Sequence, residues 1–242
     1  MFHKIYNHLF PSTCVFCDEV STGSRDLCKF CRQLLPLNSY CCTRCALPLP
    51  ASPVSDLTNQ TVLTSELLCG QCLRSPSDVI ETIAPYLYRP PVDYMIKRLK
   101  FAGELKYSRI IGEILSDTLI THLKESTPDL LIPVPLHKQR LLERGYNQAF
   151  QIATLVSKKL EIEIDNDSVI RVAAQTPQSR LGAKARDINI KRAFKVIGNI
   201  QGKNIAIIDD VYTTGATALS LTSSLYQAGA ASVSIWVFAR TP

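Results

Sequence analysis

NIAIIDDVYTTGATA, residues 204–218, joins a run of bare aliphatic residues to two adjacent carboxylates and then to a threonine-rich turn around one glycine. The aliphatic run is typical of a central strand that is buried on both faces of a parallel sheet. Ligands of such sheets bind beyond the carboxyl ends of the strands, which is where we place Asp209 and Asp210. The segment therefore predicts a strand, a binding site and a helix, in that order.

The turn after the two acids is suited to phosphate. A helix N-terminus offers free N–H groups and a positive dipole end, and glycine lets the backbone approach an anion closely. The carboxylates of Asp209 and Asp210 can accept hydrogen bonds from vicinal hydroxyls, directly or through a divalent cation. Phosphate and hydroxyls together indicate a phosphorylated sugar. The predicted phosphate-binding residues are Thr213, Thr214, Gly215, Ala216 and Thr217.

From about residue 79 onward, strand and helix patterns alternate along the chain. We predict strands in ETIAPYLY (81–88), DLLIPVP (129–135), NIAIID (204–209) and SVSIWVFA (232–239), and helices in YSRIIGEILSDTLITHL (107–123), YNQAFQIATLVSKKL (146–160) and TALSLTSSLYQAGA (217–230). This alternation predicts an α/β fold with a parallel sheet and crossover helices.

The cysteines define a second, smaller part of the chain. All nine lie between Cys14 and Cys72, so we predict a cysteine-rich domain over 1–78 and an α/β domain over 79–242. Clustered cysteines in a reducing cytosol are more often metal ligands than disulfides, and two Cys-x-x-Cys knuckles complete one tetrahedral zinc site. We predict two structural zinc ions, with sequential pairing of the knuckles favoured over interleaved pairing; iron–sulfur ligation and a redox dithiol are weaker alternatives. The predicted ligands are Cys14, Cys17, Cys28, Cys31, Cys42, Cys45, Cys69 and Cys72.

Charge and hydropathy limit the kinds of binding partner and the cellular compartment that we expect. The net charge of +6 favours anionic partners. No apolar run approaches the length of a membrane span, and the first residues lack the apolar core of a secretory signal. We therefore expect a cytoplasmic protein, with peripheral attachment to the inner membrane left open. Between residues 165 and 200, seven Lys/Arg against three Asp give a net +4, which is typical of a lid or binding segment.

The hydrophobic strand, the two acids and TTGAT resemble the phosphoribosyl-pyrophosphate (PRPP) motif of the type I phosphoribosyltransferases. The nucleotide P-loop is a poor match, because no Gly-Lys-Ser/Thr follows. The resemblance implies a flexible hood loop over residues 171–194 and a pyrophosphate loop within LIPVPLHKQRLLERGYNQ (131–148). It places four residues of that loop where they would meet a diphosphate, although a solvated basic loop is the alternative: His137, Lys138, Arg140 and Arg144.

The order of features along the chain is similar to that of the ComF/ComFC competence proteins, which include GntX. The similarity rests on the cysteine ribbon, IKRLKFAGE (96–104), PVPLHKQRLLERGYNQA (133–149), the 171–194 segment and IIDDVYTTGAT (207–217). It implies a double zinc ribbon joined to a phosphoribosyltransferase domain, and a role in natural transformation or in the use of external DNA as a nutrient. It also implies single-stranded DNA, a DNA-uptake helicase and DNA-processing proteins as partners. Tyr146 stands where many relatives carry Phe.

Two functions are compatible with these features. The first is an enzyme that transfers phosphoribose from PRPP to an acceptor, with Mg²⁺ neutralising the diphosphate. The second is a DNA-uptake protein that uses the same pocket as a nucleotide sensor or DNA-handling surface. For the second, IKRLKFAGELKYSR (96–109) offers five cations beside Phe101 and Tyr107, unless it is an ordinary solvated helix face. The motif indicates a binding site rather than turnover, and nothing in the sequence identifies an acceptor.

Overall fold

The computed structural model of the protein describes residues 12–21, 26–50, 67–75, 77–123, 127–172 and 193–242. Most of the segment between the last two knuckles (51–66) and most of the predicted hood loop (173–192) lie outside the described residues.

A parallel sheet forms the centre of the α/β part. The strands are β1 (Thr82–Ile83), β2 (Tyr86–Leu87), β3 (Leu130–Pro133), β4 (Glu163–Ile164), β5 (Val169–Arg171), β6 (Phe194–Val196), β7 (Asn204–Tyr212) and β8 (Ser232–Arg240). The sheet order is β1–β8–β7–β3–β4, β2 also pairs with β8, and every pairing within this sheet is parallel. β5 and β6 form a separate antiparallel pair, at the two ends of the predicted hood loop.

The helices follow from apolar stripes and capping residues. They are α1 (Lys29–Gln33), α2 (Gly70–Arg74), α3 (Val92–Phe101), α4 (Lys106–His122), α5 (Lys138–Arg144), α6 (Gln148–Leu160) and α7 (Ala216–Gln227). Asn147 caps α6, because its side chain accepts a hydrogen bond from the Ala149 N–H at 3.0 Å. α7 ends before Gly229, whose φ of +91° suits glycine. Among the described residues, no helix has the length and apolarity needed to cross a membrane.

Strand β7 separates two apolar layers. Ala206 and Ile208 pack with the residues of α3, α4 and α6, whereas Ile205 and Ile207 pack with those of α7 and β6. All four β7 side chains are essentially fully buried, as a strand covered on both faces requires. The predicted fold class, a parallel sheet flanked by helices with a small N-terminal cysteine ribbon, is confirmed.

The structure corrects three details of the sequence prediction. ETIAPYLY is two short strands rather than one, because Pro85 has no N–H for the ladder. The basic residues expected on a pyrophosphate loop lie on or next to the short helix α5. β7 does not end at Asp209, as the predicted strand 204–209 does, but continues to Tyr212, because β8 runs alongside to Arg240.

The cysteine ribbon and the α/β part share one apolar core. Leu27 and Leu35, which are almost fully buried, belong to the same cluster as Ile96 and Ile111 of α3 and α4. The two parts are therefore packed together, and a domain boundary at residue 78 stays a prediction.

Candidate functional site

The eight paired cysteines form two groups of four in the sequential pairing: Cys14, Cys17, Cys28 and Cys31 make the first cluster, and Cys42, Cys45, Cys69 and Cys72 the second. Within each cluster the Sγ atoms lie within 4.8 Å of one another. The Cys17–Cys28 and Cys45–Cys69 sulfur distances are 3.7 and 3.6 Å. A tetrahedron with Zn–S bonds of about 2.3 Å has sulfurs about 3.8 Å apart, so both clusters fit zinc. Four thiolates fill the coordination shell, which is the arrangement of a structural site.

The two predicted acids lie on an open edge of β7. The last pair between β3 and β7 is Pro133 with Ile208, so among the described residues Asp209 and Asp210 have a strand neighbour only on the β8 side. Asp210 is 1% exposed. Asp209 is half-buried, and its carboxylate accepts a hydrogen bond from the Asp210 N–H at 2.9 Å. The strand thus carries both acids past the last residue of β3 with which it pairs.

Lys100, in the last turn of α3, forms an ion pair with the buried member of this acidic pair. Its Nζ lies 2.6 Å from Oδ2 of Asp210. Burial acts to lower the pKa of Lys100, but Asp210 and Asp209 outweigh it, so the pKa is raised. Burial, together with the nearby Asp210 carboxylate, raises the pKa of Asp209 to about 8, although Lys100 opposes this. The pair of acids is therefore a position that favours a cation.

The predicted phosphate turn begins directly after β7. Thr213 and Thr214 lie in the turn, Gly215 is the N-cap of α7, and Ala216 and Thr217 start the helix. Gly215 has φ +81°, and a Cβ at this position would overlap the Tyr212 hydroxyl, so both backbone and packing require glycine. As the N-cap of α7, Gly215 has no side chain that could accept a hydrogen bond from the first N–H groups of the helix. The Ala216 N–H instead donates to Thr214 Oγ1 over a long distance of 3.4 Å. The first N–H groups of α7 remain suited to an anion.

A cavity of about 390 Å³ adjoins Lys100. Its lining residues are Lys100, Phe101, Gly103, Arg140, Glu143, Arg144 and Tyr146. Arg140 and Arg144 lie one turn apart on α5, and the Arg144 guanidinium lies 5.8 Å from the centre of the Phe101 ring. His137 and Lys138 do not line the cavity: His137 caps α5 through Nδ1, and Lys138 is exposed. The structure thus brings together two of the four residues predicted for a diphosphate and adds Lys100.

Arg171, at the end of β5, is a partly buried cation that sequence reasoning did not single out. Burial lowers its pKa, and the charge of Asp209 opposes this. Its Nε is buried without a hydrogen-bond partner in the described part of the chain, and its guanidinium lies 5.3 Å from the Phe194 ring centre. In the sequence, Arg171 is only one of many basic residues around the predicted hood loop.

The basic segment 96–109 is not a free cationic surface. Each of its five cations forms an ion pair with a carboxylate: Lys97 with Asp93, Arg98 and Lys106 with Glu104, Lys100 with Asp210, and Arg109 with Asp26. Tyr107 is 2% exposed and packs edge-to-face against Tyr94, so its prediction as a stacking ring for DNA is wrong. Phe101 is exposed, as a stacking ring would need to be.

Comparison with known proteins gives relatives along almost the whole chain. A double zinc ribbon family model matches residues 5–73. DNA utilization protein YhgH of Shigella flexneri is 30% identical over 236 residues, which cover 96% of this chain and 98% of the relative. Competence protein F of Haemophilus influenzae is 29% identical, with 88% of this chain and 96% of the relative covered. Competence protein ComFC of Bacillus subtilis is also 29% identical, with 89% and 84% covered.

Solved structures match the chain over about half its length. Glutamine PRPP amidotransferase of B. subtilis, complexed with ADP and GMP, is 16% identical with a TM-score of 0.36, over 52% of this chain and 24% of that one. A hypoxanthine phosphoribosyltransferase of Staphylococcus aureus is 18% identical with a TM-score of 0.37, over 56% of this chain and 65% of that one.

Proposed function

The chain belongs to the family of DNA utilization protein YhgH and the competence proteins F and ComFC, and on that premise we propose that it acts in the uptake or use of external DNA through an α/β domain that binds PRPP or a related phosphoribosyl ligand. One observation carries the ligand assignment. Two carboxylates on the open edge of β7 are followed, without a break, by a glycine-capped helix start. The two carboxylates suit ribose hydroxyls, and the start of the helix suits a 5′-phosphate.

Each end of the ligand has its own residues. Backbone N–H groups at the start of α7 and the hydroxyls of Thr213, Thr214 and Thr217 would hold the 5′-phosphate. The close approach of the phosphate is possible because Gly215 has no side chain. Asp209 and Asp210 would accept hydrogen bonds from the ribose hydroxyls, because both lie beyond the last residue of β3 that pairs with β7.

The diphosphate end would lie toward the cavity. Lys100, Arg140 and Arg144 place three cations around about 390 Å³, against one carboxylate, that of Glu143. Lys100 contacts Asp210 and lines the cavity as well, so it joins the ribose side to the diphosphate side. Charged hydrogen bonds from such cations are among the stronger polar contacts available to a protein.

The donor set also fits a magnesium ion. Carboxylate oxygens are the ligands that Mg²⁺ prefers, and Asp209 and Asp210 supply them beside a diphosphate position. When bound, the ion would neutralise part of the ligand's negative charge. Burial is the main cause of the raised pKa of Asp209, and the neighbouring Asp210 carboxylate adds to it, so a bound cation would favour the ionised form of both acids.

The ligand assignment is tested by calorimetric titration of the protein with PRPP and Mg²⁺. The double variant Asp209→Asn with Asp210→Asn loses the acceptors for the ribose hydroxyls and the ion. Because each charged hydrogen bond contributes about 1.5–3 kcal/mol, we expect the affinity to fall on the order of a hundredfold or more. Asp167→Asn, which alters an exposed carboxylate in a turn, is the matched control and should bind as the wild type does. Equal affinity of a folded double variant would refute the assignment.

Whether the bound ligand reacts is a separate question. A phosphoribosyltransferase would release pyrophosphate from PRPP when the correct acceptor base is added, and a sensor would not. Screening nucleobases for pyrophosphate release, on protein that binds PRPP by calorimetry, separates an enzyme of nucleotide metabolism from a ligand-binding DNA-uptake protein.

Single-stranded DNA is the second ligand that we propose. The segment 165–200 carries a net charge of +4, and the cations of 96–109 are already paired, so the former is the better candidate for a DNA path. Its residues Arg180, Lys184, Arg186, Lys191 and Arg192 lie outside the described residues. Action on the cytoplasmic side of the inner membrane, alongside a DNA-uptake helicase or DNA-processing proteins, belongs to the same proposal.

The DNA proposal is tested by gel shifts at several salt concentrations. Each phosphate neutralised on a single strand changes the slope of log K against log salt by roughly −0.7, so replacing these five cations should flatten the slope by about three units. If the segment instead closes over PRPP, the same replacement weakens PRPP binding and leaves the DNA slope unchanged. Absence of any shift by the wild type at low salt would contradict direct DNA binding.

A further inference from the structure

Arg240, the last residue of β8, lies between the second cysteine cluster and the phosphate turn. It is 8% exposed. Its Nε donates to the Cys45 carbonyl at 3.0 Å, and its Nη1 donates to the carbonyls of Tyr212 and Thr213 at 3.2 and 2.6 Å, as well as to that of Thr241. One buried guanidinium therefore holds a cysteine knuckle and the beginning of the phosphate turn together.

The knuckle is fixed to the α/β part on its other side as well. The Thr82 N–H donates to the Thr43 carbonyl at 2.9 Å, and the Thr82 hydroxyl donates to the Arg44 carbonyl at 2.7 Å. The Asn38 amide joins the knuckle to the α/β part, because it donates both to the Ala46 carbonyl at 2.9 Å and to the Ala84 carbonyl at 3.1 Å. Four consecutive carbonyls, those of residues 43–46, are thus held by buried or half-buried donors. These hydrogen bonds can hold the 43–46 turn in one position only while the backbone of the turn is itself ordered.

Tyr212 connects Arg240 and the second ribbon to Gly215 of the phosphate turn. Its ring lies 5.0 Å from the Arg240 guanidinium and belongs to the same apolar cluster as Ala46 of the knuckle. The hydroxyl end of the ring occupies the space where a Cβ of Gly215 would be. The N-cap of α7 therefore rests on a side chain that also contacts Arg240 and shares an apolar cluster with Ala46 of the second ribbon.

We propose that Arg240 is a positioning residue that makes the phosphate turn depend on the second cysteine cluster. Four thiolates that fit zinc define the conformation of the 42–46 turn, and Arg240 transmits that conformation to the carbonyls of Tyr212 and Thr213. Loss of the metal from the second cluster would then loosen the turn and lower the affinity for a phosphorylated ligand. The statement about ligand affinity rests on the proposed function, whereas the statement about the turn does not.

The first experiment uses Arg240→Lys in the full chain. Lysine keeps the charge but lacks the fork that bonds the Cys45 carbonyl and the turn at once. We expect two zinc ions per chain as in the wild type, faster amide hydrogen exchange at residues 213–217 without ligand, and a PRPP affinity about tenfold lower. Unchanged exchange would overturn the proposal. A lower affinity with unchanged exchange would also overturn it, because Arg240 would then act on the ligand itself.

Two further variants keep the proposal testable if Arg240→Lys does not fold. Thr82→Val removes the hydroxyl bond to the opposite side of the same knuckle, and we expect a smaller increase in exchange at residues 213–217. Cys72→Ser, in the second cluster, should raise that exchange, and Cys31→Ser, in the first, should leave it near the wild-type rate. Equal effects of the two serine variants would overturn the proposal. If the wild type binds no PRPP, the exchange results still decide the coupling, and only the proposed function fails.

Discussion

The two cysteine ribbons are built alike but are attached to different parts of the protein. In each, the first cysteine N–H donates to a carbonyl five residues on, from Cys14 to Glu19 at 2.8 Å and from Cys42 to Leu47 at 2.9 Å. In each, the residue after the second cysteine has a positive φ, 59° at Asp18 and 53° at Ala46. The five-residue helices α1 and α2 are both capped by a cysteine sulfur.

The attachments differ in chemistry. The first ribbon packs on α4 by inserting Leu27 and Leu35 into the larger apolar core, and by two ion pairs, Arg32 with Asp117 at 2.9 Å and Arg109 with Asp26. The second ribbon has a small apolar cluster of its own and is held to β1 and to the end of β8 by hydrogen bonds through its backbone carbonyls. One ribbon stabilises a helix layer, and the other borders the candidate ligand site.

This difference shows that one local motif has different consequences in different surroundings. A perturbation of the first ribbon should be felt in the free energy of unfolding, because its contacts are core contacts. A perturbation of the second should be felt at the phosphate turn, because its contacts reach Tyr212 and Thr213. The four predictions that follow test this division.

Metal removal should give the largest effect and should affect both ribbons. We expect two zinc ions per chain by elemental analysis, with all eight paired cysteines protected from thiol reagents in the native protein. Structural zinc contributes about 10–16 kcal/mol in isolated zinc-finger peptides, so a strong chelator should unfold both ribbons. One zinc per chain with four of the paired cysteines reactive would show that the two ribbons do not share one role for the metal.

Leu35→Ala should be the next largest effect and should be confined to stability. Leu35 is 3% exposed within the larger core, and truncating such a leucine costs about 2–5 kcal/mol of the free energy of unfolding. Leu34→Ala, at a neighbour that is 61% exposed, is the control and should cost little. We expect denaturant melts to separate the two variants while the PRPP affinity of the folded Leu35→Ala protein matches the wild type. A large loss of affinity would place the first ribbon at the ligand site too.

Gly215→Ala should have a moderate effect on stability and a clear one on the ligand. The substitution puts a Cβ at φ +81° and against the Tyr212 hydroxyl, and we expect a cost of about 1–3 kcal/mol in chemical denaturation. Gly202→Ala is the control, because its φ is +70° but its added Cβ meets no atom within 4 Å. If both variants lose the same stability and both keep PRPP affinity, the contact between Tyr212 and the turn contributes to neither stability nor ligand binding.

The smallest effect should be a pH dependence of the free energy of unfolding, at an ion pair between α4, on which the first ribbon packs, and the residue before β1, to which the second ribbon is bonded. His122 of α4 and Glu81 beside β1 lie 2.7 Å apart, and the hydrogen bond to Glu81 raises the pKa of His122 above its usual 6.5. Because the folded pKa is the higher one, the contribution to stability is present below the unfolded pKa and is lost as the pH rises through the folded pKa. The pair is partly exposed, so we expect roughly 0.5 kcal/mol or less.

His122→Gln tests the sign of this effect. The stability difference from the wild type should be greatest below the unfolded pKa and should diminish as the pH rises through the folded pKa, above which the histidine is neutral in both the folded and the unfolded state. A difference that grows as the pH rises would mean that Glu81 does not favour the protonated ring.

The sequence by itself determined the features that depend on local spacing. Periodic apolar residues predict α4 and α6, and the unbroken aliphatic run predicts the buried part of β7, because each pattern reflects how one segment faces a core. The Cys-x-x-Cys knuckles and the order of acids, threonines and glycine are local in the same sense. These patterns were sufficient for the fold class, for the two cysteine clusters and for the candidate positions Asp209, Asp210 and Gly215.

Only the tertiary structure decided which charged groups meet. Lys100 looks in sequence like any cation of a basic helix, and its pairing with Asp210 depends on how α3 packs against β7. Arg240 bonds a carbonyl 195 residues earlier in the chain, at Cys45. A local pattern shows that a residue is charged and which face of its helix or strand it occupies. The partner depends on which segments the folded chain brings side by side, and short-range periodicity does not contain that information.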